Sequence, residues 1–106
     1  MVSDIMIGKK VVVRANVAGV HVGVLKALDK TTAVLDGAYR IWRVYTRDKS
    51  GSMSDLAAHG LKPKTDHSIG AKLKTVLIEN PAGLEVSEMT DEAFASIESY
   101  VAGQAK

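Results

Sequence analysis

The sequence predicts an α+β, mainly β fold: a small bent antiparallel sheet or an SH3-like barrel, with a short middle helix and a C-terminal helix. Three observations carry this. Several short runs alternate apolar and polar residues at period two. Gly-, Asp- and Pro-containing turn signals separate those runs at close intervals. Only two segments, each opened by serine or threonine, have helical character. At 106 residues the chain fits a single domain, 1–106, with one core.

The first strand is expected over residues 9 to 17, where Val11, Val13, Ala15 and Val17 share one face and Lys10, Arg14 and Asn16 the other, with Val12 breaking the pattern. The run Val20 to Leu28 alternates Val20, Val22 and Val24 against His21 and Gly23, and is expected to pair with it through a tight turn at Ala18-Gly19. Two registers are open. In a two-residue loop Asn16 faces His21 and Arg14 faces Gly23, giving one polar face; with Gly19 in the left-handed position of a three-residue loop, Ala15 faces His21 and the grouping dissolves.

Asp29-Lys30 and Asp36-Gly37 bracket a short third strand, Thr31 to Leu35. A fourth, Tyr39 to Thr46, sets Arg40, Trp42 and Val44 on one face and Tyr39, Ile41, Arg43 and Tyr45 on the other. Neither face is purely apolar, so one is expected to cover the core and the other to meet a ligand or a neighbouring subunit.

Residues 47 to 52 read as a loop, after which Ser52 or Ser54 caps a short helix ending at Gly60. Lys62 to Gly70, with Pro63 and no period, reads as an exposed connection. Residues 72 to 79 return to strand character, Asn80 to Gly83 is a turn, and Leu84 to Met89 is a short strand. Thr90 caps a final helix through about Val101, with Asp91 and Glu92 at its positive end and Phe94, Ile97 and Val101 as its apolar stripe.

Composition narrows the chemistry. No cysteine means no disulfide framework, thiolate metal site or cysteine nucleophile, which favours an intracellular setting. The start MVSDIMIGKK lacks the apolar stretch of a signal peptide, and no run approaches a membrane span, so a soluble, unprocessed protein is expected. Residues 1 to 78 carry a balance of +7 and residues 79 to 106 one of −5, a distribution suited to an anionic ligand or to pairing between subunits. His21, His59 and His67 lack metal-ligand spacing, adjacent Asp66 and His67 diverge, and neither GxxxxGK[ST] nor a Gly-x-Ser-x-Gly elbow occurs. Neither catalysis nor a metal or cofactor is expected.

A binding surface is expected instead. Trp42, the only tryptophan, lies beside Arg40 and Arg43, and an indole among guanidinium groups can stack on a base while the cations hold phosphate. Arg14, Asn16 and His21 can form a polar cluster beside Gly23, with Asn reading a base edge and Arg a phosphate. Ser52, Ser54 and the free N–H groups of their helix can take an anion, although capping is their plainer role. Lys62, Lys64, Lys72 and Lys74 can add a cationic rim or serve only as a solvated surface.

The segments MIGKKVVVR (Met6 to Arg14), AGVHVG (Ala18 to Gly23), GAYRIW (Gly37 to Trp42), SMSDLAAHGLK (Ser52 to Lys62) and TDEAFASIE (Thr90 to Glu98) span most of the chain. In order and spacing they resemble a family of small, uncharacterised phage- and prophage-encoded accessory proteins. The chain departs from that pattern at Arg43 to Lys49, where a further aromatic is common and this sequence is basic. The resemblance implies a protein made in the cytoplasm of an infected bacterium. An anti-defence role suits such a chain: a homo-oligomer that sequesters a cyclic nucleotide immune signal. Arg14, Arg40 and Arg43 would hold phosphates, Trp42 or Tyr39 would stack on a base, and Asn16 or His21 would bond its edge. Rival expectations are an inhibitor or structural accessory that binds a host protein through Trp42 and Tyr39, and a small RNA- or DNA-binding barrel.

Overall fold

A computed structural model of the chain describes residues 5–15, 19–46 and 52–104. Its elements run β1 (Lys10–Ala15), β2 (Gly19–Leu28), β3 (Thr32–Arg43), α1 (Met53–His59), β4 (Ser68–Ile69), β5 (Leu73–Glu79), β6 (Glu85–Glu88) and α2 (Asp91–Gln104). The six strands form one antiparallel sheet in the order β4-β3-β2-β1-β6, and β5 shares the outer edge of β3 with β4. The fold is the expected α+β, mainly β one, and among the described residues the ends of the sheet do not pair to close a barrel.

Both faces of the sheet are buried. Val12, Val22, Tyr39 and Ile41 lie under the helices with Leu56, Ala57, Ala93, Phe94 and Ile97. Val11, Val13, Ala15, Leu25, Ala33, Leu35, Ala38 and Ile78 form a second cluster, packed with the partly buried Met6, Leu28, Val76, Leu84 and Val86. This explains why Val12 interrupts the alternation of β1: the strand lies between β2 and β6 and needs apolar side chains on each face. Fully buried leucines and isoleucines such as Leu25, Leu35, Leu56 and Ile97 each contribute about 1.5–3 kcal/mol relative to an exposed position.

The hairpin of β1 and β2 takes neither expected register. Val13 lies opposite His21, Arg14 opposite Val20 and Ala15 opposite Gly19; residues 16–18, with the expected turn at Ala18, fall outside the described residues. The apolar pattern selects this pairing, since it sets Val12 against Val22 beneath the helices. His21 therefore joins the face of Val13, and Arg14 the opposite one.

The third and fourth expected strands are one continuous strand, β3, which ends at Arg43 and not at the expected Thr46. Asp36-Gly37 is not a turn between them. Gly37, at φ +55°, lies where the pairing of β2 with β3 shifts register between Val22 and Val24, as in a bulge that bends a strand without ending it. The connection Lys62 to Gly70 also holds structure the sequence hid: Ser68–Ile69 pairs with the end of β3.

The helices start where expected and α1 stops at Gly60 as expected, whereas α2 runs past the expected Val101 to Gln104. Ser52, not Ser54, caps α1, its hydroxyl accepting from the Asp55 N–H at 3.0 Å. Gly60 ends α1 at φ +82°, and a Cβ there would meet Ser96 Oγ at 2.6 Å and Ala93 Cα at 2.9 Å. Thr90 caps α2 by accepting from the Ala93 N–H at 3.0 Å.

Candidate functional site

Beyond Ala38, the last buried residue of the second cluster along β3, the strand carries Arg40 and Trp42 on the same face. Tyr39 and Ile41 point the other way, into the helix-covered core. The Arg40 guanidinium carbon lies 4.0 Å from the Trp42 ring centroid, within cation–π distance. The indole itself remains 62 % exposed.

Glycines on either side admit the arginine. A Cβ on Gly19 would lie 2.9 Å from Arg40 Nη2, so a larger residue would displace the guanidinium. Gly70 lies against the base of the side chain, and its N–H donates to the Arg40 carbonyl at 2.8 Å.

His21 lies directly across the sheet from Arg40 and is buried. Burial, reinforced by the Arg40 charge, holds its pKa below the ordinary imidazole value and favours the neutral ring. His21 Nδ1 and Arg40 Nε are both shielded from solvent without a hydrogen-bond partner. Orphaned polar atoms of this kind cost roughly 1–3 kcal/mol each and are uncommon in native proteins. Here two of them lie on facing residues, one of which stacks on an exposed indole.

The other expected site residues are dispersed. Tyr39 leaves the group: it is buried, packs edge-on against Phe94 at 6.2 Å, and has its hydroxyl pKa raised by burial and by Glu98. Arg14 is exposed on the opposite face from His21, across from Glu85, where it lines a separate depression with Ala82, Gly83 and Leu84. Asn16 lies outside the described residues. Arg43 is exposed at the end of β3, its guanidinium carbon 5.9 Å from the Tyr45 ring centroid. Ser54 is exposed on α1, but the start of that helix is poorly suited to an anion. The carboxylate of buried Asp55 already occupies the first turn and accepts from the Thr46 hydroxyl.

A second feature escaped the sequence reading. His67 Nδ1 accepts from the Tyr45 N–H at 3.1 Å while Nε2–H donates to the Lys62 carbonyl at 3.2 Å, which fixes the tautomer. The Tyr100 hydroxyl accepts from the His67 N–H at 2.8 Å and donates to the His67 carbonyl at 2.9 Å. This clasp ties the loop before β4 to α2 and borders a cleft of about 620 Å³ lined by Lys62, Lys64, Ser96 and Ser99 among others. Nothing in the local pattern couples residue 67 to residue 100; the only trace is that Tyr100 extends the apolar stripe of α2 one turn beyond Phe94 and Ile97.

Among the described residues no group of three or more His, Asp or Glu side chains is arranged to hold a metal, and no helix is long and apolar enough to cross a membrane. A family model described as a domain of unknown function (DUF6948) matches residues 8–97. No curated protein and no solved structure matches the chain.

Proposed function

The chain belongs to the DUF6948 family of unknown function, and from its own surface we propose that it is a non-enzymatic nucleotide-binding protein. In this reading it is phage-encoded and sequesters a cyclic nucleotide immune signal as a homo-oligomer in the cytoplasm of an infected bacterium. The observation that carries the proposal is the Arg40–Trp42 stack together with the unpartnered Arg40 Nε and the unpartnered Nδ1 of His21 on the facing strand.

The chemistry matches a nucleotide in parts. The open indole surface offers a platform for a base, a contact worth roughly 1–3 kcal/mol. Arg40, already ordered against the ring, supplies fixed positive charge for a phosphate, and Arg43 supplies a second cation nearby in sequence. His21, held neutral, adds no competing charge, and its shielded Nδ1 would meet a base edge or a ribose hydroxyl only after Arg40 shifts to uncover it. Action is stoichiometric: the bound messenger is withdrawn from its host effector, and no bond is made or broken.

Thermal stability of the purified protein against cyclic dinucleotides, cyclic trinucleotides and cyclic ADP-ribose isomers tests this reading. A ligand present at about 100 times its dissociation constant adds roughly 2.7 kcal/mol to stability. A marked rise with one compound, lost in folded Arg40→Ala and Trp42→Ala variants, is the expected result. No rise with any compound overturns the reading.

A second reading rests on the exposure of Trp42 itself, since a tryptophan beside an arginine is also the composition of a protein-interface hot spot. Binding of a purified host protein that is lost in Trp42→Ala and unaffected by nucleotides would favour that alternative.

A further inference from the structure

Strand β5 borders the sheet along its whole length. Its inner edge pairs with β3 from Thr32↔Glu79 to Ala38↔Leu73, and among the described residues its outer edge pairs with no strand. Natural edge strands are commonly protected by proline, a bulge or an outward lysine. β5 has no proline, and its pairing with β3 has no register shift. Lys72, just before the strand, is folded back across β3, where its Cε would lie 3.3 Å from a Cβ on Gly37, and the lysine within β5, exposed Lys74, alternates onto the face opposite Leu73 and Leu77.

Leu73, Thr75 and Leu77 alternate onto one face of this strand and are all exposed, the leucines by 47 % and 61 %. Leucines this exposed on a bare edge call for a partner. The sequence of β5 is complementary to itself. In an antiparallel pairing centred on Thr75, Leu73 lies opposite the partner's Leu77, and Leu77 opposite the partner's Leu73. Lys74 then meets the partner's Val76, and Lys72 the partner's Ile78, so no lysine opposes a lysine. The lysine-bearing start of each strand runs alongside the Glu79 end of the other.

We propose that a second copy of this chain docks on β5, antiparallel and with Thr75 on the two-fold axis, joining both sheets into one continuous sheet. The symmetry is isologous and closes on itself, so it yields a dimer and not a fibre. The interface stands without any nucleotide, so its failure and that of the nucleotide reading are distinguishable.

The test is sedimentation equilibrium of the full chain over a range of micromolar concentrations, without ligand, combined with cross-linking. The chain has no cysteine, so Thr75→Cys introduces a unique thiol that meets its own copy at the axis. Under mild oxidation Thr75→Cys is expected to form a covalent dimer faster than Ser99→Cys, whose thiol lies on α2. Replacing both leucines with lysine (Leu73→Lys with Leu77→Lys) sets like charges opposite each other and is expected to weaken the dimer by roughly tenfold or more. Leu73→Lys combined with Leu77→Glu sets opposite charges in the same register and is expected to restore it. A wild-type monomer across the range overturns the proposal. So does a dimer in which Thr75→Cys cross-links no faster than Ser99→Cys, an outcome readable even if the lysine variant does not fold.

Discussion

His21 shows how one register decides a residue's chemistry. Its position opposite Val13 and Arg40 buries it, and burial followed by the Arg40 charge lowers its pKa from the ordinary value of 6.5. The unfolded chain therefore takes up a proton below about pH 6.5 that the folded chain refuses, and stability falls with pH until the depressed folded value is passed. Thermal unfolding between pH 7.5 and about 5 is expected to show this decline, and His21→Gln is expected to flatten it. An unchanged slope would assign the decline to other groups. Arg40 and Trp42 were legible in the sequence because alternate residues of a strand share a face. The place of His21 was not, because a shift of one residue in the hairpin turns the strand over. Tyr39 misled for a related reason: on a strand with mixed residues on each side, periodicity does not say which side the helices cover.

At the scale of elements, caps and glycines carry clear signals, and distant hydrogen bonds carry none. Gly60→Ala is expected to cost roughly 2–3 kcal/mol, because the new Cβ meets α2 and the backbone holds a left-handed φ. Chemical denaturation measures this, and a loss below about 0.5 kcal/mol would mean that α2 yields at little cost. Tyr100→Phe removes one hydroxyl that both donates to and accepts from the backbone of His67, and is expected to cost about 1–3 kcal/mol. Hydrogen exchange at the His67 amide is expected to accelerate in that variant while β1 amides stay protected. The start of α2 at Thr90, and that of α1 at one of two serines, were legible because a cap is a local event; the choice of Ser52 over Ser54 was not. The joining of two expected strands into β3 was hidden, since a glycine at positive φ marks a bulge and a turn alike. β4 was hidden because a strand of two residues has no period.

For the whole molecule, the sheet is a shared wall between two apolar clusters. Leu25 and Ile97 lie in different clusters, yet β1 and β2 contribute side chains to both. Leu25→Ala and Ile97→Ala are each expected to cost about 2–5 kcal/mol and to lower one common unfolding transition. Two separated transitions in calorimetry would show that the clusters melt independently. The mainly β class was legible from alternation and turn spacing, but the two-sided burial was signalled only by Val12. The pairing of β1 with β6 has a further consequence, this time for the chain as it is made. β1 and β2 leave the ribosome early, whereas the strand that completes the far side of β1 arrives only with residues 85–88. Until then the nascent hairpin carries a bare edge next to its valines, and the native sheet cannot be finished by local contacts alone. Folding is therefore expected to await most of the chain and to proceed on the millisecond-to-second scale of sheets closed by distant partners.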